Sequence, residues 1–154
     1  MVIKGIEIGT GKPCVCVPVM GKTRAEIVEE VIALAGTKAD IIEWRVDAFS
    51  EYRNYNAIRE VLDEIKPYLS EKIFLYTFRT KAQGGMGIVS AEELEDIHEL
   101  AAESDCVDLL DLEYFEEEYP IIKIRRLQEM GVKIVASHHD FEETPEREVM
   151  KMLL

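Results

Sequence analysis

Apolar residues in this chain follow two spacings that take turns from the N-terminus onward. Runs such as 40–47 and 72–79 have the two-residue alternation of strands, whereas the residues from Ile27 to Leu34 recur at helical spacing. The pattern predicts strands at 14–20, 40–47, 72–79, 106–112 and 132–138. It predicts helices after Thr23, at about 54–69, after Ser90, at about 117–130 and from Thr144 to Leu154.

Capping residues support these boundaries. Thr23 with Glu26, and Ser90 with Glu93, have the spacing of capping boxes at helix N-termini. Gly36 and Gly131 follow apolar helical runs and predict helix ends, while Thr144 is the predicted N-cap of the last helix, with Pro145 at its first position. At the N-terminus, residues 2–8, a turn at 9–12 and residues 14–20 predict a hairpin that leads into a buried strand.

Alternating strands and helices predict a parallel sheet, and two architectures share that pattern. In an open doubly wound sheet both faces lie under helices, so both should be apolar. Here alternate positions near the strand ends are polar, and burying so many charges would cost several kcal/mol each unless they are paired. These positions are Glu43, Arg45 and Asp47; Thr77 and Arg79; Asp111 and Glu113; Ser137 and His139. We therefore predict the first five units of a TIM-type β/α barrel, preceded by the N-terminal hairpin.

Composition limits the classes of partner. The chain has 154 residues, 47% of them hydrophobic and 32% charged, which is typical of one soluble domain over 1–154. Its net charge of −13 repels a phosphate backbone and anionic lipid, so we expect no nucleic acid and no membrane partner. The chain shows no secretory signal and no apolar run of bilayer length, so we expect a cytoplasmic location.

The candidate chemistry lies at the strand ends. His139 is the natural general acid or base, and a carboxylate such as Glu43 could orient it. Arg45 and Arg79 offer forked donors for the carboxylate of a small polar acid. The structural alternative is that Glu43, Arg45, Asp47 and Arg79 form a salt-bridge network that only fills the barrel.

Two further groups are open to alternative interpretations. Asp111 and Glu113 could bind a divalent ion, but pairing with Arg45 or Arg79 across the interior is favoured. The three cysteines lack CxxC spacing, so no metal site is predicted. The glycine-rich segment 84–87 lacks the spacing of a phosphate-binding loop and is interpreted as a mobile lid.

Several motifs together resemble those of one known family, the type I 3-dehydroquinate dehydratases of the shikimate pathway. They occur in order along the whole chain, and their combination is specific where a lone glycine pair would be weak. The matching segments are Gly11-Lys12-Pro13, Met20-Gly21, Glu43-Trp44-Arg45-Val46-Asp47, Thr77-Phe78-Arg79-Thr80, Gly84-Gly85, residues 107–113, and Ser137-His138-His139-Asp140-Phe141 followed by Thr144-Pro145.

The resemblance implies a β/α barrel that needs no metal or organic cofactor and converts 3-dehydroquinate into 3-dehydroshikimate. In that family a lysine forms an imine with the substrate ketone, and a histidine takes the neighbouring proton and assists loss of hydroxyl. His139 matches the histidine, Glu43 matches the carboxylate that positions it, and Arg45 and Arg79 match substrate-contacting residues.

The chain departs from the family pattern at three places. Gln83 stands where many members carry Glu, and Pro18 stands where many carry Ser. The imine lysine belongs on a sixth strand, which this sequence does not reach, and Lys151 lies in a predicted helix. We therefore expect the chain alone to be inactive, since the imine is the electron sink for the reaction. The alternative is a non-catalytic binding or interaction module derived from the barrel.

Five barrel strands alone would leave two open edges and uncover the apolar residues expected to face inward, namely Val15, Val17, Leu75 and Leu109. We expect this surface to be covered by a second copy in a homodimer, by a missing C-terminal half, or by the rest of a longer chain. A weaker alternative is a five-stranded open-sheet receiver or nucleotide-binding protein, which leaves the inward charges unexplained.

Overall fold

A computed structural model describes residues 1–114 and 120–151. Seven strands are present in these ranges: β1 (Val2–Ile3), β2 (Ile6–Glu7), β3 (Cys16–Val19), β4 (Ile41–Arg45), β5 (Ile73–Thr77), β6 (Leu109–Glu113) and β7 (Lys133–Ser137). The helices are α1 (Arg24–Ala35), α2 (Tyr55–Ile65), α3 (Ala91–Glu103), α4 (Pro120–Glu129) and α5 (Arg147–Lys151). Short 3₁₀ turns follow β4, α2 and β5 at Val46–Ala48, Lys66–Tyr68 and Lys81–Gln83.

The order of the strands confirms the barrel-type arrangement. Strands β3 to β7 form one parallel sheet in chain order, so each strand pairs with the next. Right-handed crossovers between sequential strands put every connecting helix on the same side of the sheet. Within residues 1–114 and 120–151 the opposite side carries no helix, as inside a β/α barrel and unlike a doubly wound sheet.

The two sides of the sheet carry different residues. On the helix side, large apolar residues form the main core, among them Ile42, Trp44, Phe74, Tyr76 and Leu110. On the inner side, the first residues of β4, β5 and β6 are also apolar, and Ile73 and Leu109 pack there with Ile3 of the hairpin, whereas Lys133 begins β7. The inner positions farther along the strands are polar or charged, and they include Glu43, Arg45, Thr77, Asp111, Glu113 and Ser137.

The N-terminal hairpin differs from the prediction. It closes within residues 2–7, through a two-residue turn at Lys4 and Gly5 with φ of 49° and 79°. Positive φ at both turn residues matches the twist of a tight hairpin, which explains why the partner of β1 is β2 and not residues 14–20. Lys4 Nζ donates to the carbonyls of Leu69 and Lys72 and to Asp108 Oδ2 at 2.7–3.0 Å, which ties the hairpin across the strand starts.

Strand β3 also differs from the prediction of a buried strand, because it is an edge strand with largely accessible residues. Pro18 pairs with Glu43 and therefore shares the inner side, whereas Val17 pairs with Ile42 and shares the helix side. The expectation that Val17 faces inward is thus wrong by one residue of register.

The helix caps were largely predictable. Both capping boxes are present, and Gly131 has φ of 106° after α4. The last helix begins at Arg147, where the N–H of Met150 bonds the Glu146 carbonyl, so the prediction of Thr144 as its N-cap is wrong. The predicted helical residues 117–119 and 152–154 lie outside the described ranges. Within 1–114 and 120–151, no helix is both long and apolar enough to cross a bilayer.

The helical layer buries a histidine. His98 on α3 is 2% exposed, and no described residue offers its Nδ1 a hydrogen bond. Burial, with a smaller contribution from the charge of Lys123, lowers the pKa of His98 to about 3. The folded chain therefore holds this imidazole neutral where the unfolded chain would protonate it.

The burial of His98 predicts a loss of stability in mild acid. The unfolded chain takes up this proton near pH 6.5, so the stabilisation is complete above that pH and declines as the pH falls toward 3. The free energy of unfolding should lose up to about 1.4 kcal/mol per pH unit through this group. Urea unfolding at pH 7, 6, 5 and 4 should show this extra slope in the wild-type chain and not in His98→Leu. Parallel curves for the two proteins would contradict the assignment.

Candidate active site

The site is formed where parallel strands deliver polar side chains to one end of the sheet. Arg45 and Glu113 are the last residues of β4 and β6, and Ser137 is the last residue of β7. Arg79 and His139 lie two residues beyond the ends of β5 and β7. Because parallel strands in register end at the same edge, the inner-face side chains meet there.

Arg79 is the centre of the buried charge network. Its side chain is 8% exposed, and its Nη2 lies 2.9 Å from Asp111 Oδ1 while its Nη1 lies 3.0 Å from Glu113 Oε1. Nη1 also donates to Ser137 Oγ at 3.0 Å, and that hydroxyl donates to Asp111 Oδ1 at 2.9 Å. The favoured pairing of Asp111 and Glu113 with an interior arginine is confirmed, since both contact this one guanidinium.

The two carboxylates of this network lie in different surroundings. Burial raises the pKa of Asp111, and the ion pair with Arg79 only partly opposes that rise. Glu113 is held by further donors, since the backbone N–H and hydroxyl of Thr80 donate to its two oxygens at 2.9 and 2.7 Å. Within the described residues, no group of three or more His, Cys, Asp and Glu side chains is arranged to bind a metal ion.

Arg45 has its own carboxylate partner. Its Nε and Nη2 donate to the two oxygens of Asp47, each at 2.8 Å. Asp47 has left the strand and lies in the 3₁₀ turn Val46–Ala48, with a fully buried side chain. Burial opposes its ionisation, but the bonds from Arg45 and from the backbone N–H of Met86 hold the pKa of Asp47 below its ordinary value.

Gln83 holds the candidate acid-base residue. Its side-chain oxygen accepts the backbone N–H of His139 at 2.9 Å and lies 3.1 Å from the imidazole Nδ1. Gln83 is 2% exposed, so this amide is part of the folded interior. One indication of this role of Gln83 was visible in the sequence, namely that it stands where many members of the family carry Glu.

Among the described contacts, the Nδ1 of His139 lies against Gln83 rather than against Glu43. Glu43 lies on β4, next to the edge strand β3, whereas His139 follows β7, and strands β5 and β6 separate the two. Its charge acts on Cys16 instead, because burial and then Glu43 raise the pKa of that thiol to about 11. The residue that lies against the imidazole Nδ1 is Gln83, and the role of Glu43 in orienting the histidine stays a prediction.

The surroundings of His139 favour its neutral form. Burial lowers the pKa of His139, and the charge of Arg79 lowers it further, while Glu113 acts in the opposite direction. Arg45 also lowers it, which places both predicted arginines close enough to act on this imidazole. The structure thus brings Arg45, Arg79 and His139 together at one rim.

The glycine pair makes close backbone approaches possible. A Cβ on Gly85 would lie within 2.1 Å of the Arg79 carbonyl oxygen, and one on Gly84 would lie 2.4 Å from the ring of Phe141. That ring also stacks near His139, with centroids 6.4 Å apart and planes at 21°. The predicted role of this segment as a mobile lid stays a prediction.

Comparisons with known proteins find a matching family and several relatives. A model of the family described as type I 3-dehydroquinase matches residues 15–154. The 3-dehydroquinate dehydratase of Listeria monocytogenes serotype 4a is 39% identical over 149 residues, which cover 96% of this chain and 59% of the relative. The 3-dehydroquinate dehydratase of Clostridioides difficile is 35% identical over 147 residues, which cover 95% of this chain and 58% of the relative.

Solved structures show the same likeness. The type I 3-dehydroquinate dehydratase of Clostridium difficile with covalently modified comenic acid superposes with a TM-score of 0.92 at 34% identity, covering 97% of this chain and 60% of that one. The 3-dehydroquinate dehydratase of Enterococcus faecalis superposes with a TM-score of 0.90 at 29% identity. The chain therefore spans about three fifths of the length of the relatives it matches.

The contact between Gln83 and His139 predicts the effect of one substitution. In Gln83→Glu a carboxylate replaces the neutral amide beside Nδ1 and stabilises the imidazolium, so the pKa of His139 should rise. Titration of the His139 ring protons by NMR measures the change. Gln128→Glu is the matched control, since Gln128 is exposed on α4 and should leave the titration unchanged. An unshifted midpoint in Gln83→Glu would contradict the contact.

Proposed function

Because this chain belongs to the type I 3-dehydroquinase family, we propose that it supplies the first five β/α units of a cytoplasmic barrel enzyme, as one domain over residues 1–154. The proposed reaction removes water from 3-dehydroquinate to give 3-dehydroshikimate, the step of the shikimate pathway that the relatives' names describe. The observation that carries this proposal is the position of His139, held by Gln83 at the rim that also contains Arg45 and Arg79.

His139 is the proposed general acid and base. Its backbone N–H can only donate, so the Gln83 atom that it meets is the amide oxygen, and Nδ1 must then donate to that oxygen as well. The hydrogen on Nδ1 leaves Nε2 with its lone pair available for a substrate proton. In the proposed step Nε2 removes a proton from the carbon beside the ketone-derived imine, and then protonates the departing hydroxyl.

Arg45 and Arg79 are the proposed substrate-binding arginines, in different ways. Asp47 uses the Nε and Nη2 edge of Arg45, so Nη1 is the nitrogen that this pairing leaves for a substrate carboxylate or hydroxyl. Both terminal nitrogens of Arg79 already meet carboxylates, so its contribution to binding comes mainly through the shape and charge of the rim. Glu43, on the inner side of β4, is also a proposed substrate-binding residue.

The excess of negative charge at the rim supports the proposal that a basic side chain from another part of the barrel completes the site. Among the described residues, the rim carboxylates Glu43, Asp47, Asp111 and Glu113 are accompanied by the guanidinium groups of Arg45 and Arg79, which leaves a formal excess of two negative charges. The lysine whose amine would form the imine meets that need. No lysine of the sequence matches that role, because Lys151, the single lysine after His139, lies in α5 and pairs with Glu148. We propose that further β/α units supply it.

The partner surface is the open part of the barrel. In the described residues β3 and β7 each pair on one side only, so their other backbone edges and the polar inner face are available for pairing. We propose that the remaining units of the barrel occupy this surface, with a homodimer as the alternative occupant. The second candidate function, a binding module without catalysis, is favoured only by the unmatched lysine.

Complementation tests the proposal. The purified chain is mixed with the C-terminal part of the Clostridioides difficile relative that lies beyond the matched residues, and 3-dehydroshikimate is measured by its ultraviolet absorbance. We expect product only from the mixture, and a loss of about 10²- to 10⁴-fold in His139→Ala, the range typical of an acid-base residue. His98→Leu serves as a control in the helical layer.

Borohydride trapping separates the two candidate functions. With substrate present, a covalent adduct should form on the added part and not on this chain. An adduct on the isolated chain would overturn the assignment of the lysine to other units. Absence of product from a complex that sedimentation shows to be formed would favour the binding module.

A further inference from the structure

Asp47 is saturated with hydrogen bonds from three segments of the chain. Its Oδ1 accepts Arg45 Nε at 2.8 Å and the backbone N–H of Arg79 at 3.2 Å. Its Oδ2 accepts Arg45 Nη2 at 2.8 Å and the backbone N–H of Met86 at 2.9 Å. Each oxygen therefore receives one guanidinium donor and one backbone donor, and the side chain is fully buried.

These four bonds occupy both carboxylate oxygens of Asp47, so the side chain is not positioned to contact a substrate. They indicate a different role. The two guanidinium bonds fix the plane of Arg45, because a bidentate pair restricts rotation of the guanidinium as well as its position. The nitrogen Nη1 is thereby held in one direction. An arginine whose plane is fixed before binding loses less conformational freedom when a ligand arrives.

The two backbone bonds act on a second group. Arg79 and Met86 lie on either side of the loop that contains Gln83, so the same carboxylate holds both ends of that loop. Gln83 in turn holds the backbone and the ring of His139. A displacement of Asp47 would therefore reach the imidazole through two successive hydrogen-bonded contacts.

We propose that Asp47 is the positioning residue that sets Arg45 and His139 relative to one another, through the guanidinium on one side and the Gln83 loop on the other. This inference rests on the proposed function only in giving Arg45 and His139 their chemical roles. A carboxylate is required because both oxygens must accept: an amide would turn an N–H toward a donor and lose bonds on that side.

Asp47→Asn tests the proposal on the chain itself, without substrate. The exchange of the Arg45 Nε–H with solvent, measured by NMR, should become about tenfold faster or more, which is the loss expected for a hydrogen bond to a charged group. The ring signals and the titration midpoint of His139 should move in the same variant. An aspartate with a merely structural role would lower the melting temperature and leave both signals unchanged.

Asp108→Asn is the matched control. Asp108 also bonds a basic side chain, that of Lys4, and a backbone N–H, that of Phe74, but it lies at the opposite end of the strands. It should lower stability without moving the signals of Arg45 or His139. If the two variants change these signals equally, or if Asp47→Asn changes neither, the proposal is overturned.

A second measurement keeps the proposal testable if Asp47→Asn does not fold. In the unaltered chain the Arg45 Nε–H should exchange at least about tenfold more slowly than that of the exposed Arg59, since only a bonded Nε–H is protected. Equal rates would overturn the proposal. Neither measurement depends on catalysis, so an inactive complemented enzyme would reject the proposed function and leave this inference standing.

Discussion

A buried guanidinium shared by carboxylates from a neighbouring strand is the constraint on which the site depends. Arg79, just beyond β5, contacts Asp111 and Glu113 of β6 and Ser137 of β7, and so links the ends of three strands. Burying these charges carries a large desolvation cost, which is offset only when every partner is present with good geometry. The pairing requirement therefore fixes the strand ends relative to one another, and the candidate acid-base residue follows the last of these strands.

The inner face of the sheet changes from apolar to polar along the strands. At the starts of β4, β5 and β6 the inner residues are apolar, and Ile3 of the hairpin packs against Ile73 and Leu109 there. Two residues farther on, the same side turns to polar and charged groups, which are held by hydrogen bonds rather than by packing. Stability thus comes mainly from the helix side and from the end that the hairpin covers. The opposite end carries the polar groups of the candidate site.

The sequence predicted the features that depend on local spacing. Two-residue alternation identified which strand residues share the inner side, and the capping boxes at Thr23 and Ser90 marked helix starts because their bonds join residues three apart. Contacts between distant residues were not predictable in this way. Gln83 and His139 are 56 residues apart in the chain, and the partner was assigned to Glu43 instead.

Alternation also misled where the backbone leaves the strand. Asp47 was expected on β4, but the strand ends at Arg45 and a 3₁₀ turn buries the carboxylate beneath the loop after β5. The hairpin turn at Lys4 and Gly5 and the register of β3 depended on pairing that composition does not specify. The motifs that carry the resemblance are strand ends, and the parallel fold places strand ends at one rim.

The most direct test of the central constraint is a comparison of two free energies of unfolding. One is that of Arg79→Met, and the other is that of a triple variant that combines Arg79→Met with Asp111→Leu and Glu113→Leu. The account predicts that the single variant loses about 3–5 kcal/mol, because two carboxylates are left buried without their cation. The triple variant should recover much of that loss, since apolar side chains remove the unpaired charges. A loss below about 1 kcal/mol in Arg79→Met, the range of an exposed pair, would contradict it.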